Sequence, residues 1–218
     1  MRTTPTLILA AALLAASAAL TGCNIAVPVF FAVQGPPKLP GAFEPDAGRT
    51  TVLLIDDPRN KVPRRELRLN IGQVADENLL RHKVFPAGML ISSKSALAAS
   101  RGSEQGPKLS VVDIGRRVGA QVVIYVEVTD WTLVSNGEGI SPQAAVSIRV
   151  LDPLSNERLF PAEGGLTVVA SLPPEAESKQ PNRGVLERAL AKELGTAISE
   201  AFFDHERRQM QSNRGAIQ

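Results

Sequence analysis

Apolar residues in this chain change their spacing several times, and each change marks an element. Leu7–Leu20 is an unbroken run of apolar and small residues. Thr51–Ile55 is a short, largely β-branched run followed by Asp56-Asp57-Pro58, which predicts a buried strand ending in a turn. Across Arg64–Lys83, Leu67, Ile71, Val74, Ala75 and Leu79 recur at helical spacing with charges between them. Met89–Ile91 is a second short strand, and Ser95–Ser100 a short helix leading into a loop. Ser110, three residues before Asp113, has the form of a helix N-cap, and Gly119 sits where a glycine stop belongs. Gln121–Val128 then predicts a strong strand. In Ala144–Leu151 apolar and polar residues alternate, as in a half-exposed strand. Asp152–Asn156 is a turn before a strand at Glu157–Phe160, and Gly165–Leu172 is one more strand. After a loop at Pro173–Pro181, a last helix over Gly184–Glu206 carries Leu186, Leu190, Leu194, Ala197, Ile198, Ala201 and Phe202 on one stripe.

The predicted order is β-α-β-α-β, then strands joined by turns, then a helix. Strands separated by helices imply parallel pairing through right-handed crossovers, and short connections imply antiparallel hairpins. The expected fold is α/β: one mixed sheet with helices packed on it, in a single domain over residues 50–206. Residues 207–218 form a polar tail expected to be disordered.

The first apolar run has a different meaning. It follows Arg2 and spans about 14 residues, short of the roughly 20 needed to cross a bilayer, which fits the apolar core of a signal peptide. It ends in Leu20-Thr21-Gly22-Cys23, which resembles the lipobox of bacterial lipoproteins. That resemblance implies cleavage between Gly22 and Cys23, lipid on Cys23 (diacylglyceryl, with an amide-linked acyl chain such as palmitate in many bacteria), and residues 1–22 as a signal peptide. Cys23 is the only cysteine, which excludes an internal disulfide, a cysteine zinc site and a CxxC redox motif. A lone cysteine is otherwise a plain buried apolar residue; its place directly after this run argues for the lipid. Asn24 follows it, where Asp retains enterobacterial lipoproteins at the inner membrane, so the expectation is the outer membrane, facing the periplasm. Residues 23–49 read as a lipidated tether. Asn24–Val33 either packs on the domain or lies at the lipid surface. Gln34–Gly48, with Pro36, Pro37, Pro40 and Pro45, is an extended spacer at about 3.1 Å per residue.

Lys and Arg number 24 against 22 Asp and Glu, and loss of residues 1–22 removes only Arg2, leaving 23 against 22. With no basic cluster, nucleic acid is not an expected partner. Candidate chemistry is sparse. Asp56 and Asp57 sit at a strand end, where open α/β sheets bind ligands, and paired acids there can hold a divalent metal; the plainer reading is a solvated turn before Pro58. His82 and His205 fall near predicted helix ends, and two histidines with one cysteine make a zinc hydrolase a poor fit. No Gly-x-Ser-x-Gly elbow, GxGxxG or P-loop is present; Gly137-Glu138-Gly139 has Pro142 where a third glycine belongs. Tyr125 and Trp131 flank the end of the strongest strand. They read as core or rim, or alternatively as anchors for a partner. No cofactor, metal or catalytic residue is expected.

The segment from Val112 to Val128, in which a short helix ending in Gly119-Ala120 leads straight into a strand, resembles an element of several envelope proteins. They are the curli-secretion lipoprotein, the lipoprotein activators of penicillin-binding proteins and the amino-terminal domain of the Tol-system β-propeller protein. In these the next strand ends in a variable-Asp, Thr-Gly, Glu turn; Ile148–Glu157 is similar, with Ser155-Asn156 in place of Thr-Gly. The resemblance covers residues 50–205 in element order. It implies a non-enzymatic binding or accessory subunit of an envelope assembly, with an envelope protein as partner and the membrane held through Cys23. The alternative is a lipid-anchored small-ligand or metal-binding protein or enzyme using Asp56 and Asp57. The curli-secretion pore is built from long inserted hairpins. Thr129–Gln143 and Asp152–Gly164, read as connections carrying Pro142, Pro153 and Pro161, are too short for that, so a pore is not expected.

Overall fold

The computed structural model describes residues 38–100, 109–135, 140–172 and 182–206. The expected signal segment, Gly22, Cys23, the expected tether through residue 37, the expected loop at Pro173–Pro181, Gly137–Gly139 and the expected tail at 207–218 lie outside the described residues. The chain divides into two units, Met1–Leu39 and Pro40–Gln218. Of the first, the described part is a two-residue strand, Lys38–Leu39.

The second unit holds β1 (Thr51–Asp56), α1 (Arg65–Arg81), β2 (Leu90–Ile91), α2 (Ser93–Ala99), α3 (Val111–Val118), β3 (Val122–Ser135), β4 (Ile140–Asp152), β5 (Glu157–Phe160), β6 (Leu166–Ser171) and α4 (Arg183–Glu200). The sheet runs β2-β1-β3-β4, with β5 and β6 both paired to β4. β1 is parallel to β2 and β3, and β4, β5 and β6 pair antiparallel. It is the mixed sheet with packed helices that the pattern predicts.

Alternation along the strands separates two cores. On one face Leu53, Ile55, Ile124, Val126, Val128, Val146, Ile148 and Val150 pack against Leu67, Ile71, Ala75 and Leu79 of α1 and Leu190, Leu194 and Ile198 of α4. On the other, Val52, Leu54 and Val123 meet Ala96 of α2 and Ile114 of α3. β1 is enclosed on both faces, which is why it reads as a continuous apolar run rather than an alternating one. The caps form as expected: the Ser110 side chain accepts from the Asp113 amide at 3.1 Å, and Gly119 takes φ 76°.

Three boundaries differ from the pattern. β3 and β4 continue through what read as the Thr129–Gln143 connection, pairing as far as Ser135 with Ile140. Pro142 fits inside β4 because its carbonyl accepts from the Leu172 amide at 3.0 Å. Its missing N–H therefore lies on that side, and no bond to β3 is lost. The two strands reach the 9–11 residues of a membrane-spanning hairpin, so this hairpin, contrary to expectation, is long enough to span. What stands against insertion is that Val122–Val128 and Ala144–Val150 carry the domain's own core. Next, α4 stops at Glu200, short of Glu206. The Ala201 carbonyl accepts from the amides of Ala42 and Phe43 at 2.7 and 3.1 Å, so the entering chain satisfies an acceptor the helix end would leave open. That contact, with Phe43 against Phe160 at 5.1 Å, makes the compact unit begin at Pro40, ahead of the expected Thr50. Among the described residues no helix is long and apolar enough to cross a membrane.

Candidate functional site

Strand register decides which polar side chains share the face that α2 and α3 cover only in part. Leu54 stands beside Tyr125 and Asp56 beside Glu127; across the antiparallel pair, Tyr125 stands beside Arg149 and Glu127 beside Ser147. The two helices close over Val52, Leu54 and Val123. Asp56, Glu127 and Arg149 are left as a polar cluster beside them.

The cluster is tightly interlocked. The Tyr125 hydroxyl donates to Asp56 Oδ2 at 2.9 Å. Arg149 Nη2 donates to Glu127 Oε2 at 2.7 Å, and its guanidinium carbon lies 4.9 Å from the centre of the Tyr125 ring. Such stacking contributes on the order of 1 kcal/mol where partly desolvated. Burial, and after it the Asp56 carboxylate, pushes the Tyr125 phenol well above its ordinary range. It stays protonated at neutral pH and acts as a donor, not as a base or nucleophile. Arg149 Nε is buried without a hydrogen-bond partner. The arrangement offers carboxylates and a guanidinium in fixed places. It can recognise a polar surface, and its groups provide no nucleophile paired with a base.

Asp57 does separate work. It is 3 % exposed, and its two carboxylate oxygens accept from the backbone amides of Lys61 and Val62 at 2.8 and 2.9 Å. The adjacent acids therefore diverge, Asp56 toward the sheet face and Asp57 into the following loop. Among the described residues, no three His, Cys, Asp or Glu gather where they could hold a metal ion.

Tyr125 and Trp131 are not brought onto one surface. The β3–β4 register shifts between Val128 and Asp130, and Trp131 then stands beside Ala144, on the α1/α4 face. The bulge changes the phase of the strand: even-numbered residues face that core before it and odd-numbered ones after it. Trp131 packs on the core with its Nε1 buried and unpartnered, while Tyr125, 7 % exposed, belongs to the opposite cluster. The sequence pattern alone does not single out Glu127 and Arg149. Their signal was present as a polar residue two places from Tyr125 and a charge inside an alternating strand, but only register pairs them.

The segment carrying the family resemblance forms a second polar knot. Asp152 Oδ1 accepts from the amides of Leu154 and Ser155 at 2.7 and 3.1 Å, and Oδ2 from Arg49 Nη2 at 2.6 Å. The Ser155 amide first, and Arg49 and the Leu154 amide after it, hold its carboxyl below the usual range. Asn156 takes φ 60°, the left-handed conformation that a glycine there would adopt without cost. A Cβ on Gly115 would fall 2.5 Å from Val123 Cγ2 and 3.1 Å from Pro153 Cβ, so α3 seats directly on β3 and this turn.

No protein-family model matches the chain, and no curated protein matches it. Solved structures do. The PelC dodecamer from Paraburkholderia phytofirmans is 12 % identical, covering 77 % of this chain and 93 % of that one, with a TM-score of 0.38. Lipoprotein GNA1162 from Neisseria meningitidis is 12 % identical over 65 % of this chain and 93 % of its own, at 0.37. The LpoB C-terminal domain from Salmonella enterica is 16 % identical over 60 % and 87 %, at 0.34. Each is a distant likeness.

Proposed function

We propose that this protein is a bacterial lipoprotein, anchored by lipid on Cys23 to a membrane, in our reading the outer membrane on its periplasmic side. Its compact domain acts there as a non-enzymatic binding or accessory subunit of a cell-envelope assembly. The observation that carries this is the single cysteine placed directly after an apolar run and Leu20-Thr21-Gly22. Two acyl anchors give stable attachment at about 0.8 kcal/mol per buried methylene. The domain's best-formed polar cluster supports the binding role. Asp56, Tyr125, Glu127 and Arg149 hold one another in a preset pattern, and Tyr125 is locked as a donor. Presenting a fixed surface to an envelope protein uses such a cluster as it stands.

Mass spectrometry of the mature amino terminus tests the anchor. The expected species begins at Cys23 with a diacylglyceryl group and lacks residues 1–22; an unmodified Cys23 or a retained leader would remove the proposal's basis. Crosslinking of the lipidated protein in its own envelope tests the role. A specific protein partner should be recovered and lost in Arg149→Ala.

A further inference from the structure

β6 is the outermost strand alongside β4, and the hydrogen-bonding direction of each of its residues can be worked out. The Leu172 amide donates to the Pro142 carbonyl at 3.0 Å, continuing the register Ser171–Gln143, Ala170–Ala144, Val169–Ala145, Val168–Val146. In an antiparallel ladder, facing residues alternate between pairs that exchange both backbone bonds and pairs that exchange none. Leu172, Ala170, Val168 and Leu166 therefore turn their backbone groups toward β4. Thr167, Val169 and Ser171 turn theirs to the outer edge. Among the described residues no strand pairs with that edge. The same three residues are exposed at their side chains, Val169 at 49 %.

Edges of natural sheets are ordinarily blunted by charge, proline, a bulge or a cover. Leu166–Ser171 contains no charge and no proline, and its pairing with β4 runs without a register shift. The strand is also close to a palindrome about Val169: Val168 and Ala170 are small and apolar, and Thr167 and Ser171 both carry hydroxyls. We propose that the β6 edge is an interface for a second copy of this chain, the two β6 strands pairing antiparallel about a twofold axis at Val169. In that register Val169 faces Val169 of the copy, and Thr167 faces its Ser171. Every outward backbone group finds a partner, giving about six new hydrogen bonds. Like side chains meet like, hydroxyl to hydroxyl and aliphatic to aliphatic, with no charge brought against itself. Such self-matching is what an isologous twofold contact requires. It favours a copy over a foreign strand, for which a near-palindrome has no use. The inference does not depend on lipid at Cys23.

The test uses the full chain purified from the cells that make it, together with oxidative crosslinking in those cells. Light scattering should find twice the chain mass, and Val169→Lys should raise the dimer dissociation constant about tenfold or more by setting two lysines on the axis. Val169→Glu should do likewise, and mixing the Lys and Glu variants should restore the dimer. Val169→Cys should give a disulfide joining position 169 to position 169, identified by peptide mass. Thr167→Cys alone should give none, and Thr167→Cys mixed with Ser171→Cys should crosslink. A wild-type chain that stays monomeric, a dimer untouched by Val169→Lys, Thr167→Cys linking to itself as readily as Val169→Cys, or capture of a different protein at position 169 would each overturn the proposal.

Discussion

At its β2 edge the sheet ends in a two-residue strand, and α1 and α2, which belong to opposite faces, meet beyond it. At its β6 edge it ends in a six-residue uncharged strand, of which Thr167, Val169 and Ser171 turn their backbone groups outward. The first meeting is intimate. A Cβ on Gly72 of α1 would lie 2.5 Å from Ser93 Oγ and 2.9 Å from Ser93 Cβ at the start of α2. Asp76, one turn along α1, accepts from the Ser93 amide at 2.8 Å. The contrast shows how one sheet treats the same liability in two ways. A short strand clasped by helices has few groups left to offer, whereas a longer bare strand remains a template. Changes at the clasp should act on the protomer's stability, and changes at β6 on association.

The largest expected effect lies at Asp76. It is 8 % exposed, and burial is the main cause raising its carboxyl from 3.8 to about 6, against the lowering hydrogen bonds from Ser93. Its Oδ1 has no hydrogen-bond partner. Because the folded value lies above the unfolded one, the protonated form is the one the fold prefers. The contribution is complete below about pH 4 and is lost as pH rises through about 6. A shift of this size corresponds to about 3 kcal/mol as an upper bound. Denaturant titrations of wild type and Asp76→Asn from pH 4 to 7 should diverge. The wild type should lose stability over that window relative to the variant, which keeps an acceptor for the Ser93 amide. Parallel curves would mean that Asp76 carries no strain at this edge.

Gly72→Ala comes next. An alanine inside a helix ordinarily gains about 1 kcal/mol over glycine. Here the methyl must displace Ser93, including its Cβ, and overpacking of this kind costs about 1–3 kcal/mol. The net expectation is destabilisation by up to about 2 kcal/mol, read as a lowered denaturation midpoint with an unchanged slope. A gain in stability would show that α2 is free to move and that the clasp is loose.

What the sequence disclosed of this structure, and what it hid, divides by the range of the interactions. The aliphatic runs of β1 and β3 were legible because burial on both faces leaves an unbroken apolar run, and the stripe of α4 because one-sided burial imprints a period on the chain. The Ser110 and Gly119 caps were legible because their partners lie within a few residues. The extension of β3 was not: Thr129, Asp130 and Thr132 are turn-like by composition, and the bulge that keeps Trp131 on the core is set by pairing with β4. The stop of α4 at Glu200 and the start of the unit at Pro40 share a hidden cause, the bonds from Ala42 and Phe43 to Ala201. The candidate site was half visible. Asp56 and Tyr125 stood out singly, but their hydrogen bond and the Glu127–Arg149 pair exist only once two registers are fixed.

The smallest expected effect separates the edges most cleanly. Val169→Lys, measured on protein dilute enough to be dissociated, should change unfolding free energy by less than about 0.5 kcal/mol. The side chain is 49 % exposed, its backbone groups face away from β4, and its aliphatic stem can lie along the sheet while the ammonium reaches water. Valine has the higher strand propensity, but on a solvent-facing edge that preference is weak. At concentrations where the wild type associates, the same substitution should remove whatever stability is linked to dimer formation, so the gap between the two proteins should widen with concentration. A gap already full-sized at high dilution would mean that Val169 supports its own fold, and that the β6 edge is as closed as the edge at β2.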